Sequence, residues 1–148
     1  MLRLPPPVWA FIYALLAGAV SAAWPWRQLV DLRLAPVGAV LLASGLALSL
    51  WAALLFRAEG TELNPTSLAN KTLVIRGPFR WTRNPMYLAL VIFTLGLAFA
   101  IGSLPMFAVP VLVFATTDWV HIPFEEAKMR RQFGSAFDDY TARVRRWL

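Results

Sequence analysis

Long uncharged apolar runs dominate the chain and divide it into segments. The first, Val8 to Trp26, follows Pro5, Pro6 and Pro7, and as a helix rising about 1.5 Å per residue it just crosses a hydrocarbon core roughly 30 Å thick. Arg3, this run and the small residues Ser21, Ala22 and Ala23 also imitate a cleaved signal peptide, whereas Trp24 and Trp26 favour a retained helix anchored at the interface. Leu34 to Phe56 is the second run, with Pro36 near its start where a helix tolerates it. A third extends from Pro85 to about Leu104 and a fourth from Pro105 to about Val120, separated only by Gly102-Ser103-Leu104-Pro105, so the two should form a tight antiparallel hairpin. The pattern predicts one all-α integral membrane domain over residues 1–148 with about four transmembrane helices.

Polar segments frame these runs. In the tail, residues 121–148, Met129, Phe133, Phe137, Tyr140, Val144 and Trp147 recur every three or four positions among charged residues, which predicts a pair of amphipathic interfacial helices reaching Trp147. Gly134 breaks the pair, and Ser135-Ala136-Phe137-Asp138 fits a capping box that restarts it. The loop 57–84 is too long for a plain connector. It carries turn chemistry at Asn64-Pro65 and Arg76-Gly77-Pro78, and a β-branched stretch, Thr72 to Ile75, suited to lie extended on the membrane surface.

Composition agrees with a bilayer protein: 59% of the residues are hydrophobic and 15% charged. The net charge of +6 does not point to nucleic acid, because the basic residues flank apolar spans, where anionic lipid head groups are the natural neighbours. Of the 14 Lys and Arg, only Arg27 and Arg33 fall between the first two spans and none falls in the hairpin turn. The positive-inside rule therefore puts both termini, the loop and the tail in the cytoplasm, and a prokaryotic inner membrane is the expected location. Cysteine is absent, which removes disulfides, thiolate metal sites and a thiol nucleophile. Oligomeric state is left open.

Two groups of residues carry candidate chemistry. Arg76, Arg80, Arg83 and Asn84 gather at the start of the third span, where they suit either a carboxylate or phosphate at a helix N-terminus or a lipid-facing basic collar. Asp118, His121, Glu125 and Glu126 end the fourth span, with the two glutamates about one turn beyond the histidine. They suit a cation, a ligand amine or hydroxyls, or else pair as interfacial charges with Lys128, Arg130 or the loop arginines. A hairpin brings both groups to one membrane-level site, where a zwitterionic ligand would satisfy each. One histidine and two adjacent glutamates fall short of a metal set, and there is no Ser-His-Asp arrangement or phosphate loop.

Read in order, Gly60-Thr61, Asn64-Pro65, Leu73-Val74, Gly77-Pro78-Phe79-Arg80 and Arg83-Asn84-Pro85-Met86-Tyr87, then Glu125-Glu126, Phe133-Gly134, Tyr140 and Val144-Arg145-Arg146, resemble the membrane methyltransferases that include isoprenylcysteine carboxyl methyltransferase and the phospholipid N-methyltransferases. The resemblance covers roughly Gly60 to Leu148. It implies S-adenosylmethionine as cofactor, held by Lys71, Thr72, Leu73, Val74, Phe79, Asn84, Pro85, Met86, Tyr87, Glu125 and Glu126, with Arg83 and His121 positioning a lipophilic acceptor whose carboxylate, amine or thiol is methylated. Asn84 stands where eukaryotic members have His, Phe137 where they have Tyr, and His121 is a weaker carboxylate anchor than an arginine; these departures bear on the acceptor more than on the cofactor. An NADPH-dependent membrane reductase related to the steroid reductases, whose hairpin carries a similar corner, and a non-enzymatic membrane scaffold subunit are the alternatives.

Overall fold

The computed structural model describes residues 4–24, 31–59 and 72–148, which are helical with short 3₁₀ and π turns and contain no strand. Arg3, Trp26, Arg27, Gly60-Thr61, Asn64-Pro65 and Lys71 lie outside the described residues. In order come α1 (Pro6–Ala23), α2 (Ala35–Ala58), a 3₁₀ turn (Gly77–Arg80), α3 (Pro85–Ile101), a second 3₁₀ turn (Leu104–Phe107), α4 (Ala108–Thr116), a π turn (Thr117–His121), α5 (Ile122–Phe133) and α6 (Ser135–Arg143). A proline at the first or second position starts α1, α2, α3 and α5, where its fixed φ suits a helix and its missing N–H costs nothing.

Three helical stretches among the described residues are long and apolar enough to cross a membrane: 6–23, 35–58 and 104–133. At 17 residues, α3 is apolar but shorter. The run expected to end near Val120 instead continues as one helical stretch to Phe133. Pro123 accounts for how it continues. Lacking an N–H, it cannot donate to the carbonyl four residues back, and just before it the ladder slips by one residue, so that the Ile122 N–H donates to the Thr117 carbonyl and a π turn forms.

Small residues set the main contact. Gly38, Gly45 and Ala52 are buried along α2, and they let its backbone meet that of α3 directly. A Cβ on Gly38 would lie 2.7 Å from the Ala100 nitrogen, and one on Gly96 of α3 would lie 2.7 Å from the Leu42 nitrogen. Such close approach maximises dispersion between helices that gain nothing from hydrophobic burial in lipid. The α3 helix ends on Gly102 at φ 77°, a left-handed cap that only glycine takes without strain. The chain then reverses, bringing Phe99 against Phe107 with ring centroids 5.0 Å apart. Hydroxyls tie α1 to this pair: Tyr13 and Thr116 share a 2.8 Å hydrogen bond, and Ser103 donates to Ser21 at 2.8 Å. Outside, Phe11, Leu15, Val40, Leu54, Val111 and Trp119 are exposed, the surface a hydrocarbon solvent favours.

The tail departs from the amphipathic pattern in two ways. Ser135 is not a cap: the Gly134 carbonyl takes the N–H groups of Phe137 and Asp138, and the Asp138 carboxylate pairs with Arg130 at 2.8 Å. The helix also stops at Arg143 rather than reaching Trp147. Val144 turns extended, and residues 144–148 fold back as a strap, because their backbone finds better partners on the corner before α3 than in another helical turn. Thr72 to Ile75 lies outside any helix or strand, with Val74 buried against Ala52 and Phe79.

Candidate functional site

The corner Thr82-Arg83-Asn84 is held from both sides. The Asn84 N–H donates to the Thr82 hydroxyl oxygen at 3.1 Å, and the Thr82 hydroxyl in turn donates to the Arg146 carbonyl at 3.0 Å. That carbonyl also takes the Asn84 side-chain amide at 3.0 Å, and the Arg83 N–H reaches the Arg145 carbonyl at 2.9 Å. The strap thus binds the start of α3 through main-chain oxygens. Its side chains bind the π turn: Arg146 Nη1 and Trp147 Nε1 both donate to Asp118 Oδ1, at 3.1 and 3.0 Å.

Arg83 is turned inward. Its Nη1 donates to the carbonyls of Thr141 and Val144 at 3.2 Å each, and its Nη2 to Glu126 Oε1 at 2.8 Å. Glu126 is engaged a second time by Arg146, whose Nε and Nη2 reach its two oxygens at 3.2 and 2.8 Å. This two-point geometry is the strong form of an ion pair. The Arg83 Nε is buried and has no partner among the described residues, an orphaned donor of the kind a ligand acceptor would satisfy. Arg76 pairs instead with Glu59, and Arg80 is exposed, so neither joins Arg83 at α3.

Glu125 faces a different environment. It accepts the Tyr87 hydroxyl and lines two adjoining cavities of about 380 and 100 Å³. The smaller is walled by Thr72, Leu73, Val74, Phe79, Glu126 and Tyr140, and the larger by Pro85, Met86, Tyr87 and apolar residues of α2 and α3. Arg83, Asn84, Glu125 and Met129 belong to both. His121 lines neither of them: it is buried behind Tyr87, ring centroids 6.5 Å apart, with its Nε2 unpartnered among the described residues.

Many of the residues singled out from the sequence, though not Arg76, Arg80 or His121, line this corner, and their roles differ. Arg83 and Glu126 spend most of their hydrogen bonds on each other and on the strap. Glu125 and the Arg83 Nε are what the corner leaves for a ligand, and together they suit a group bearing a positive and a negative end. Other contributions were less legible. Asp118 stood among the candidates and Arg146 in the Val144-Arg145-Arg146 motif, but only the strap's reversal pairs them. Tyr140 is buried and donates to the Phe79 carbonyl at 2.7 Å, with burial pushing its phenol up to about 12. Pro5 to Pro7, on the wall of the larger cavity, carried no chemical signal in the sequence beyond starting a helix.

No curated protein and no solved structure matches the chain. A family model described as phospholipid methyltransferase matches residues 34–136, from the residue before α2 to the second residue of α6, a region that includes the Arg83–Tyr87 corner and both glutamates but neither α1 nor the strap. With well over half of its length matched, and with the motifs of that corner in place, the chain belongs to the phospholipid methyltransferase family.

Proposed function

We propose that this chain moves a methyl group from S-adenosylmethionine to a lipophilic or membrane-embedded acceptor through a carboxylate, amine or thiol of that acceptor. The observation that carries the reading is the shared wall of the two cavities: the smaller is walled mainly by loop and tail residues, among them Thr72, Glu126 and Tyr140 beside apolar Leu73 and Val74, the larger mainly by apolar residues of the spans, and they meet at Arg83, Asn84 and Glu125. A reaction between a polar cofactor and an apolar acceptor needs such a meeting point.

The groups at the junction match the chemistry of the cofactor's charged end. The Arg83 Nε is an open donor for a carboxylate, Glu125 a carboxylate for an ammonium, and Phe79, Phe137 and Tyr140 offer apolar and aromatic surface beside Leu73 and Val74. When bound, S-adenosylmethionine supplies a methyl group on a cationic sulfonium, open to attack by the acceptor's own nucleophile. What the protein contributes is alignment and dryness. Asn84, Pro85, Met86 and Tyr87 define the junction, Tyr87 fixes the Glu125 carboxylate, and His121 acts from behind as a support for the Tyr87 ring. Arg83 and Glu126 keep the corner rigid.

For topology, we read α1, α2, α3 and the α4–α5 stretch as four spans, with the corner, strap and both termini on the cytoplasmic side. At about 1.5 Å per residue the 17 residues of α3 reach roughly 25 Å, short of the hydrocarbon thickness by an amount that local thinning absorbs.

The deciding experiment is calorimetric binding of S-adenosylhomocysteine to the detergent-purified protein, with Glu125→Gln in parallel. Binding to the wild type that weakens at least about tenfold in the variant, some 1.4 kcal/mol, is the expected result. A wild type that binds nothing overturns the cofactor.

A further inference from the structure

The helix that carries Glu125 changes phase before it reaches the site. Up to the π turn, the inner face of this helical stretch is made by Val109, Val113, Thr116 and Thr117, all buried. An α-helix repeats about every 3.6 residues, so an unbroken ladder would carry that face on through Val120, Phe124 and Ala127. Instead Phe124 and Ala127 are exposed, His121 and Ile122 are buried, and Glu125, Lys128 and Met129 stand on the cavity wall. The inner face has moved by one position.

That displacement is what the π turn adds. Across Thr117–His121 the ladder closes on the fifth residue rather than the fourth, with the Ile122 N–H on the Thr117 carbonyl, and the residues beyond are turned back by about one position, roughly 100°. Without the turn, Glu125 would be rotated by that angle away from the Tyr87 hydroxyl it now accepts, and apolar Phe124 would take its place. The bulge itself lies away from the packed face, since Trp119 within it is 75% exposed.

Two features fix the turn. Pro123 has no N–H for the Trp119 carbonyl four residues back, and in a regular ladder its ring collides with that carbonyl, so the widened turn is the form that accommodates it. Arg146 then bridges the turn from outside, donating through Nη1 to Asp118 within it and through Nε and Nη2 to Glu126 beyond it. Rotating one side against the other would break this bridge.

We infer that the π turn is a register device, forced by Pro123, that aims Glu125 at the junction of the two cavities, and that Pro123 is thereby a positioning residue for the site. The inference rests on the methyl-transfer reading for the ligand that Glu125 meets, but not for the rotation. It makes one residue of the turn redundant once the proline is gone: removing Trp119 together with Pro123→Ala leaves a plain α ladder in which Glu125 keeps its direction.

The test uses the absence of cysteine from the chain. A spin label on Phe124→Cys, in the full chain in phosphatidylcholine nanodiscs, reports through its collisions with oxygen whether this position faces outward, and S-adenosylhomocysteine binding is measured by calorimetry on the same backgrounds without the label. With Pro123 present the label is outward and readily reached. Pro123→Ala, which admits the unbroken ladder, should turn it inward, with oxygen accessibility and S-adenosylhomocysteine binding each falling severalfold. Deleting Trp119 in the Pro123→Ala background should return both to near the wild-type level, whereas a proline with a merely structural role predicts that the deletion adds further damage. Accessibility and binding both unchanged in Pro123→Ala overturn the role of Pro123, and a label turned inward with binding intact overturns the aiming of Glu125. If Pro123→Ala does not fold, the shortened variant decides: folded with an outward label it supports the inference, and unfolded it overturns it. A wild type that binds no S-adenosylhomocysteine overturns the methyl-transfer reading, and the label then decides the register alone, an inward turn reversed by the deletion supporting it and an unmoved label overturning it.

Discussion

Glu125 and Glu126 are adjacent in the chain, yet their carboxylates serve different ends: Glu125 takes the Tyr87 hydroxyl at the cavity junction, while Glu126 is clasped by Arg83 and Arg146. Successive residues of a helix project about 100° apart, so a pair that reads as one motif divides between cavity wall and scaffold.

Glu126→Gln is accordingly a stability variant first. Arg83 and Glu126 are only 14% and 18% exposed, and removing one charge of such a pair leaves the other uncompensated, at a cost of about 3 kcal/mol. The expected outcome is a clearly lower thermal unfolding midpoint, with loss of S-adenosylhomocysteine binding following the loss of folded protein. Normal melting with abolished binding would instead place Glu126 at the ligand.

Arg146 extends the same cluster to the π turn. Arg146→Ala should cost about 1–2 kcal/mol, below the buried-pair figure because its side chain is 35% exposed and solvent screens it. Arg146→Lys keeps the charge but not the two-nitrogen geometry, and should recover only part of the loss. Hydrogen exchange is the sensitive readout. Release of the strap should speed exchange at the Arg83 amide, which is bonded to the Arg145 carbonyl, and equal protection in wild type and Arg146→Ala would show that the strap holds without its side chain.

What the sequence disclosed and what it concealed follow from the range of each interaction. Apolar runs and prolines act locally, so helices beginning at Ala35 and Pro85 were legible to within a residue or so. The corner at Arg83 to Tyr87 was legible as a motif. Its partners were not, because residues 144–148 read as more amphipathic helix; only a contact spanning some sixty positions, such as Thr82 to the Arg146 carbonyl, overrides that local preference. Pro123 was in plain view, but its effect is a π turn that keeps the helix going rather than ending it.

Tyr140 makes the tail sensitive to alkali. Its hydroxyl donates to the Phe79 carbonyl, and burial, partly opposed by the nearby Arg83 charge, pushes its phenol up to about 12 from an ordinary value of about 10. A raised acid favours the protonated form in the fold, so the stability it contributes is complete below pH ~10 and is lost between about 10 and 12. Tyr140→Phe should lower stability by about 1–2 kcal/mol at neutral pH, since the Phe79 carbonyl loses its donor, and should flatten that alkaline decline. A melting midpoint falling equally in both proteins over this window would assign the decline to other groups.

Two glycines separate close packing from helix propensity. Gly45 and Gly18 both sit inside apolar helices, but a Cβ on Gly45 would lie 2.8 Å from the Ala89 carbonyl oxygen and 2.8 Å from the Phe93 nitrogen, whereas one on Gly18 meets nothing within 4 Å. The obstacles at Gly45 are backbone atoms of α3, which cannot swing aside as a flexible side chain would, so Gly45→Ala must push α2 and α3 apart at a cost of about 1–3 kcal/mol. Gly18→Ala meets no such obstacle and gains helix propensity, up to about 1 kcal/mol. In denaturation series at fixed detergent, Gly45→Ala should therefore unfold earlier and Gly18→Ala no earlier than wild type. Because Gly45 also walls the larger cavity, the separation an added methyl forces should reach that cavity; equal midpoints for the two variants would mean that α2 and α3 do not approach this closely.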